Sequence, residues 1–209
     1  SSKGATSATV SPDGKQIAFT LRGEVFVTSA DYNTTKQITN TPAAETGVCF
    51  SPDNRTLAYA SERGGNWQLY LAKIARKEEA NFPNATIIED GSTWYSTAGG
   101  FDYSWSPDGK WFTLRFIGNK HDPYSDIGLV SAQGGEITNL TNSGYTSTSP
   151  QWVLDGNAIL FTTERYGMRA HASWGSLNDA MLVFMNQDAY DKFRLSKEDY
   201  ELQKELEKE

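Results

Sequence analysis

The chain has 209 residues, 38% of them apolar and 22% charged, which is the composition of a folded globular protein and not of a disordered one. Its formal net charge of −7 carries no basic block, which argues against a nucleic-acid or anionic-membrane partner and suits a cationic or neutral one. No apolar run reaches the roughly eighteen residues of a membrane-spanning helix, so no membrane insertion is expected, and the opening SSKGATSATV lacks the charged and apolar regions of a signal peptide, which leaves the compartment open.

The first feature in chain order is a turn, Ser11-Pro12-Asp13-Gly14. Proline presets φ for a type I turn, aspartate reaches nearby amides, and glycine takes the positive φ that closes the hairpin. The turn leads into a predicted strand at Gln16–Leu21, a two-residue loop at Arg22-Gly23, a strand at Glu24–Ser29 and a fourth strand at 35–39. Cys49, the lone cysteine, stands in VCFSP where a core-facing strand residue is expected; it is a buried structural thiol, with no intrachain disulfide possible. A second turn, Ser51-Pro52-Asp53-Asn54, repeats the plan with strands predicted at 56–61, 66–74 and 85–89; the mixed run Arg76-Lys77-Glu78-Glu79 reads as solvated. The third, Ser106-Pro107-Asp108-Gly109, precedes strands at 110–116, 126–132 and 136–140. A worn fourth copy, Val153-Leu154-Asp155-Gly156, precedes strands near 158–163 and 180–186 but no fourth strand.

The intervals between turns, 40, 55 and 47 residues, are those of a repeat architecture, and units of this length with four antiparallel strands include propeller blades. The predicted fold is therefore all-β: about four blades over residues 1–187 (5–47, 48–101, 102–148 and 149–187), forming an open arc or partial propeller. The 55-residue interval is either one blade with a long exit loop or the scar of a lost blade between Ile88 and Asp90. Residues 188–209 form a charged helical extension. Ser196-Lys197-Glu198-Asp199 is a capping-box pattern, Leu195 and Tyr200 occupy the staple positions, and Leu202 and Leu206 give a narrow apolar stripe from 197 onward. This extension is expected to be a truncated insertion.

The turn with its flanking aromatic residues, and the downstream Gln37-Ile38-Thr39-Asn40 and Asn139-Leu140-Thr141-Asn142, resemble the propeller repeats of TolB and of tricorn-like proteases over about residues 5–186. Tyr166-Gly167-Met168, Ala172-Ser173-Trp174-Gly175 and the run from Asp191 to Glu198 are more narrowly similar to the propeller of Bacteroidetes tricorn-type peptidases. The resemblance implies a noncatalytic propeller segment of a tricorn-like serine peptidase, serving substrate gating, peptide docking or assembly, with the protease machinery in other domains of the parent protein. The alternatives are a TolB-like protein-interaction module of the envelope and a propeller hydrolase or lyase. The implied location is periplasmic or cell envelope, with the cytoplasm as alternative.

The blades differ most in the loop between strands two and three, which grows from two residues (22–23) to about four, nine (117–125) and fifteen (164–178). Loops on a rigid scaffold carry recognition. The candidate binding residues lie there and on the connection leaving the second blade: Trp94, Tyr95, His121, Tyr124, Tyr166, Arg169, His171 and Trp174, chiefly the aromatic and arginine types that anchor interfaces. The bland alternative is that these loops only cover the sheet ends. No catalytic residue is assigned: there is no nucleophile elbow, no H-E-x-x-H and no phosphate loop, and Ser173 and Ser176 near His171 lack an orienting group. His121, Asp122 and Asp126 could hold a cation, but aspartates in loops more often bond their own backbone, so no cofactor or metal is expected. The expected partner is a protein or peptide, including the rest of the parent protein, with a homo-oligomer through open blade edges as a further possibility.

Overall fold

The computed structural model describes residues 4–65, 67–74, 78–86, 102–118, 124–167 and 177–208. Four antiparallel sheets follow one another along the chain, each a simple meander. The first contains β1 (Ser7–Val10), β2 (Gln16–Leu21), β3 (Glu24–Ser29) and β4 (Thr35–Gln37). The second contains β5 (Glu45–Phe50), β6 (Thr56–Ser61), β7 (Gln68–Lys73) and β8 (Glu78–Thr86). β9 (Tyr103–Trp105), β10 (Trp111–Phe116), β11 (Asp126–Ser131) and β12 (Thr138–Asn139) form the third. The fourth has three strands, β13 (Ser147–Val153), β14 (Ala158–Thr163) and β15 (Asp179–Phe184), and is followed by α1 (Gln187–Phe193) and α2 (Lys197–Leu206). This is the all-β partial propeller expected from the repeat.

The inner pairs of strands match the expectation closely, and the outer strands do not. The strand predicted at 85–89 is β8, which begins at Glu78, opposite Lys73. Half of the charge run taken as solvated thereby enters a strand. An outermost strand tolerates charge because one of its edges is unpaired. β4 stops at Gln37 because the Thr39 hydroxyl, and not a strand backbone carbonyl, accepts the Val25 amide at 2.8 Å. The helix α1 lies, but for Gln187, within the stretch 188–209 expected to be helical, with a start of its own that the sequence reading does not assign. Its cap is Asn186, whose side chain accepts the Ala189 amide at 2.8 Å. The capping-box helix is found as predicted, with Ser196 Oγ accepting the Asp199 amide at 3.1 Å.

Alternation along the central strands puts one face of each sheet against the sheet before it and the other against the sheet after it. Three buried clusters result. Ala18, Val25 and Val27 of the first sheet meet Phe50, Leu57 and Tyr59 of the second. Ala58, Leu69 and Leu71 of the second meet Trp105, Phe112 and Leu114 of the third, so these two sheets are direct neighbours across the longest interval. Ile127 of the third meets Ile159 and Phe161 of the fourth. Among the described residues no such cluster joins the fourth sheet back to the first. The first sheet's outer side therefore leaves Val10 58% exposed. The fourth sheet's outer side is covered in part by α1, where Phe184 packs on Tyr190 and Phe193 at centroid distances of 5.4 and 5.2 Å.

Candidate functional site

The two ends of the sheets are built differently. At one end lie the repeated turns. In each good copy the buried serine is the hub: Ser11, Ser51 and Ser106 donate to Asp13, Asp53 and Asp108 at 2.7, 2.5 and 2.5 Å. The same hydroxyls accept the amides of Gln16, Thr56 and Trp111, five residues on, at 2.9 to 3.0 Å. Each aspartate also accepts the amide two residues on, at 3.0 Å in all three turns. The serine hydroxyl, ahead of these backbone amides, holds each carboxyl below its ordinary pKa. Gly14, Asn54 and Gly109 take φ of 73°, 63° and 70°, the left-handed conformation that closes the turn. Neighbouring turns touch: the Asp13 amide donates to Asn54 Oδ1 at 3.0 Å.

At the other end, blades are fastened by a second repeated device. The Thr39 hydroxyl accepts the Val25 amide and donates to Glu24 Oε2 at 2.6 Å, and Glu24 accepts the Thr41 amide at 2.9 Å. The third blade repeats this with Thr141, Ile127 and Asp126: Ile127 N to Thr141 Oγ1 is 3.1 Å, Thr141 to Asp126 Oδ1 is 2.7 Å, and Ser143 N to Asp126 Oδ1 is 3.3 Å. The downstream Ile/Leu-Thr-Asn motif is thus a clasp on strand three. Asp126, considered above as a cation ligand with His121 and Asp122, has its carboxylate taken up by this clasp and by Asn139 Nδ2 at 2.9 Å. His121 and Asp122 lie outside the described residues.

The clasp leads the chain to the next blade. The Glu45 amide donates to Gly23 O at 2.8 Å, and the Ser147 amide donates to Ser125 O at the same distance, so in the first and third blades the base of the strand-two-to-three loop is tied to the following sheet. Between blades one and two this end also holds a buried ion pair. Glu45 Oε1, on a side chain with no exposure, accepts from Thr41 Oγ1 at 2.7 Å, Ser61 Oγ at 2.8 Å and Arg63 Nη2 at 3.3 Å. Arg63 lies over the Tyr70 ring, 4.4 Å from its centroid, and donates to Tyr59 OH at 3.2 Å. Sequence reasoning missed this cluster. A lone glutamate opening a strand carries no signal, and its partners come from two blades.

Of the predicted binding residues, Tyr124 and Tyr166 are described, 46% and 62% exposed, with Arg165 5.2 Å from the Tyr166 ring centroid. Trp94, Tyr95, His121, Arg169, His171 and Trp174 lie outside the described residues, as do Ser173 and Ser176. The base of the longest loop is close-packed: a Cβ on Gly167 would fall 1.6 Å from Leu177 O, so only glycine fits where the strands of the loop converge. Cys49 lines the interface of sheets two and three, and burial pushes its thiol up to about 11, which keeps it protonated and unreactive at neutral pH.

No protein-family model matches the chain. Over 61 residues it is 39% identical to the uncharacterized peptidase YuxL of Bacillus subtilis, a match covering 29% of the chain and 9% of YuxL. Over 173 residues it is 23% identical to the Tol-Pal system protein TolB of Helicobacter pylori, covering 77% of the chain and 38% of TolB. The chain therefore spans well under half the length of either relative. Among solved structures it superposes on the tricorn protease with a TM-score of 0.61 at 10% identity, over 85% of this chain and 17% of that one. These likenesses bear out the TolB-like and tricorn-like propeller repeat.

Proposed function

We propose that this chain is a noncatalytic propeller segment of a tricorn-like serine peptidase, used for gating, docking or assembly around peptide substrates. The observation that carries the reading is the asymmetry between the two ends of the sheets. One end repeats a single hydrogen-bonded turn, whereas the other ends in loops that diverge blade by blade above a common clasp. Divergent loops on a rigid base are what a recognition surface requires. The likeness to the tricorn protease and to the peptidase YuxL supports the parent class, and the sequence motifs around Tyr166, Trp174 and Asp191 support a parent of the Bacteroidetes tricorn type. The loop residues that dock peptide are Trp94, Tyr95, His121, Tyr124, Tyr166, Arg169, His171 and Trp174.

A direct test incubates the purified chain with unstructured peptides and follows both cleavage and binding. The expected result is binding without hydrolysis, weakened several-fold by Tyr166→Ala or Arg169→Ala. Hydrolysis that disappears in His171→Ala would overturn the reading in favour of an enzyme using the long-loop face.

A second reading has its own support. The match to TolB extends over 77% of the chain, which favours an interaction module of the bacterial envelope with a protein partner. Pull-down with bacterial envelope proteins, dependent on the same loops and accompanied by no affinity for unstructured peptides, distinguishes it. In either reading the exposed outer side of the first sheet is a further contact surface, open to another domain or another copy.

A further inference from the structure

At the turn end, opposite the loops, two adjoining cavities form a groove that the functional reading above does not use. The first, of about 400 Å³, lies between the turns of blades three and four. Its apolar wall is Trp111, Leu129, Trp152 and Met185, and its rim carries Asp108 and Asp155. The second, of about 600 Å³, shares Asn157 and Asn186 with the first and continues along the helices past Asp188, Asp191 and Glu207. The single cation lining either cavity is Lys192, and it is already paired with Glu207 at 3.1 Å. Five carboxylates thus line the groove with one lysine, and Lys110 also acts on Asp108 at its rim.

The repeat identifies what is special here. Trp111 stands five residues after the turn serine, where the other good copies carry Gln16 and Thr56 and the worn one carries Ala158. The fold accepts a polar or small residue at this position, yet here an indole is placed 41% exposed beside an acidic rim. Trp152 lines the same cavity, its ring packed against the core of blades three and four and its indole N–H donating to Ser104 O at 3.2 Å, so the ring is held in place at the cavity wall. Fixed aromatic faces beside carboxylates form a site for a cationic group on an aliphatic stem.

We propose that this groove docks an extended basic segment of a partner protein, with an arginine or lysine stem lying against Trp111 and Trp152 and its charge between Asp108 and Asp155. Neighbouring basic residues of the segment run past Asp188 and Asp191. The net charge of −7 steers such a segment toward the chain. The site stands independently of the peptidase or envelope reading, because it occupies the other end of the sheets.

The test uses the full chain with indole ¹⁵N labels, titrated with acetyl-Gly-Arg-Gly-Arg-Gly-amide and with its twin carrying citrulline, the uncharged isostere of arginine. The Trp111 and Trp152 signals, assigned by loss in Trp111→Phe and Trp152→Phe, are expected to shift saturably. Binding should weaken about tenfold for the citrulline peptide and about threefold in Asp155→Asn, and should fall in 0.5 M salt. Asp155 has φ 53°, a conformation asparagine adopts well, so this variant keeps the turn. Tyr166→Ala should leave the titration unchanged, which separates failure of this site from failure of the loop surface. Equal binding of the two peptides, shifts confined to other indoles, or no saturable shift would each overturn the proposal.

Discussion

Ser51 and its counterparts Ser11 and Ser106 are each 3 to 4% exposed, although they sit in surface turns. Each is buried because its hydroxyl is both donor and acceptor, fully used between an aspartate and a strand amide. The aspartates are consequently stabilised as anions. A carboxyl whose folded pKa is depressed contributes stability that is complete above its unfolded value, near 4, and is lost as pH falls through the folded value. Unfolding midpoints measured from pH 6 to pH 3 should therefore fall at the acid end, and Asp53→Asn should flatten that fall. The Glu45–Arg63 pair makes a different prediction. Removing Arg63 strands a carboxylate with no exposure, whereas removing Glu45 leaves a guanidinium that is 20% exposed and stacked on Tyr70. Arg63→Ala should cost about 3–5 kcal/mol in urea unfolding. Adding Glu45→Gln to it should recover a part, and no recovery would mean that the buried charge is not the cause.

The fourth turn shows what the repeat loses when its serine is replaced. Val153 has no hydroxyl, and Leu154, Asp155 and Gly156 follow with φ of 51°, 53° and 86°. Asn157 holds this left-handed run, its amide and side chain both donating to Leu154 O at 3.0 and 2.9 Å. A leucine in that conformation is strained by about 1 kcal/mol, and its side chain is 47% exposed, so little packing offsets the strain. Leu154→Gly should raise stability by about that amount; a lower urea midpoint would show that the side chain matters more than the backbone. At the scale of elements, the central strands were legible because apolar alternation and hydrogen-bonding turns coincide in them. β8 was placed late because its first residues are charged, and an edge strand needs no apolar pattern. The separate start of α1 was not legible because the helix is only seven residues long and rests on one asparagine cap and the ring contacts of Phe184.

Across the whole molecule, stability is carried by three inter-sheet cores, each made by faces from two consecutive blades. This nearest-neighbour construction explains how sheets of different loop length share one frame: a loop can lengthen without touching a core. It also leaves two unlike ends, an open apolar side on the first sheet and a side capped by α1 on the fourth. The loop residues singled out for binding follow from composition and spacing, and Tyr124 and Tyr166 are exposed where the repeat puts them. The acidic, indole-lined groove was not foreseen. Trp111 and Trp152 are 41 residues apart in different blades, and Asp188 and Asp191 fall in the charged helical extension, so nothing in their order joins them.

What the amino-acid order determined by itself is the blade: a turn whose hydrogen bonds close within six residues, and strands whose alternation is local. What only the tertiary structure decided is everything made between blades. The contact of sheets two and three across a 55-residue interval, the Glu45–Arg63 pair and the groove beneath blades three and four all depend on residues brought together by packing. Sequence distance carries no information about such contacts, because the blade geometry sets them and the intervening loops do not.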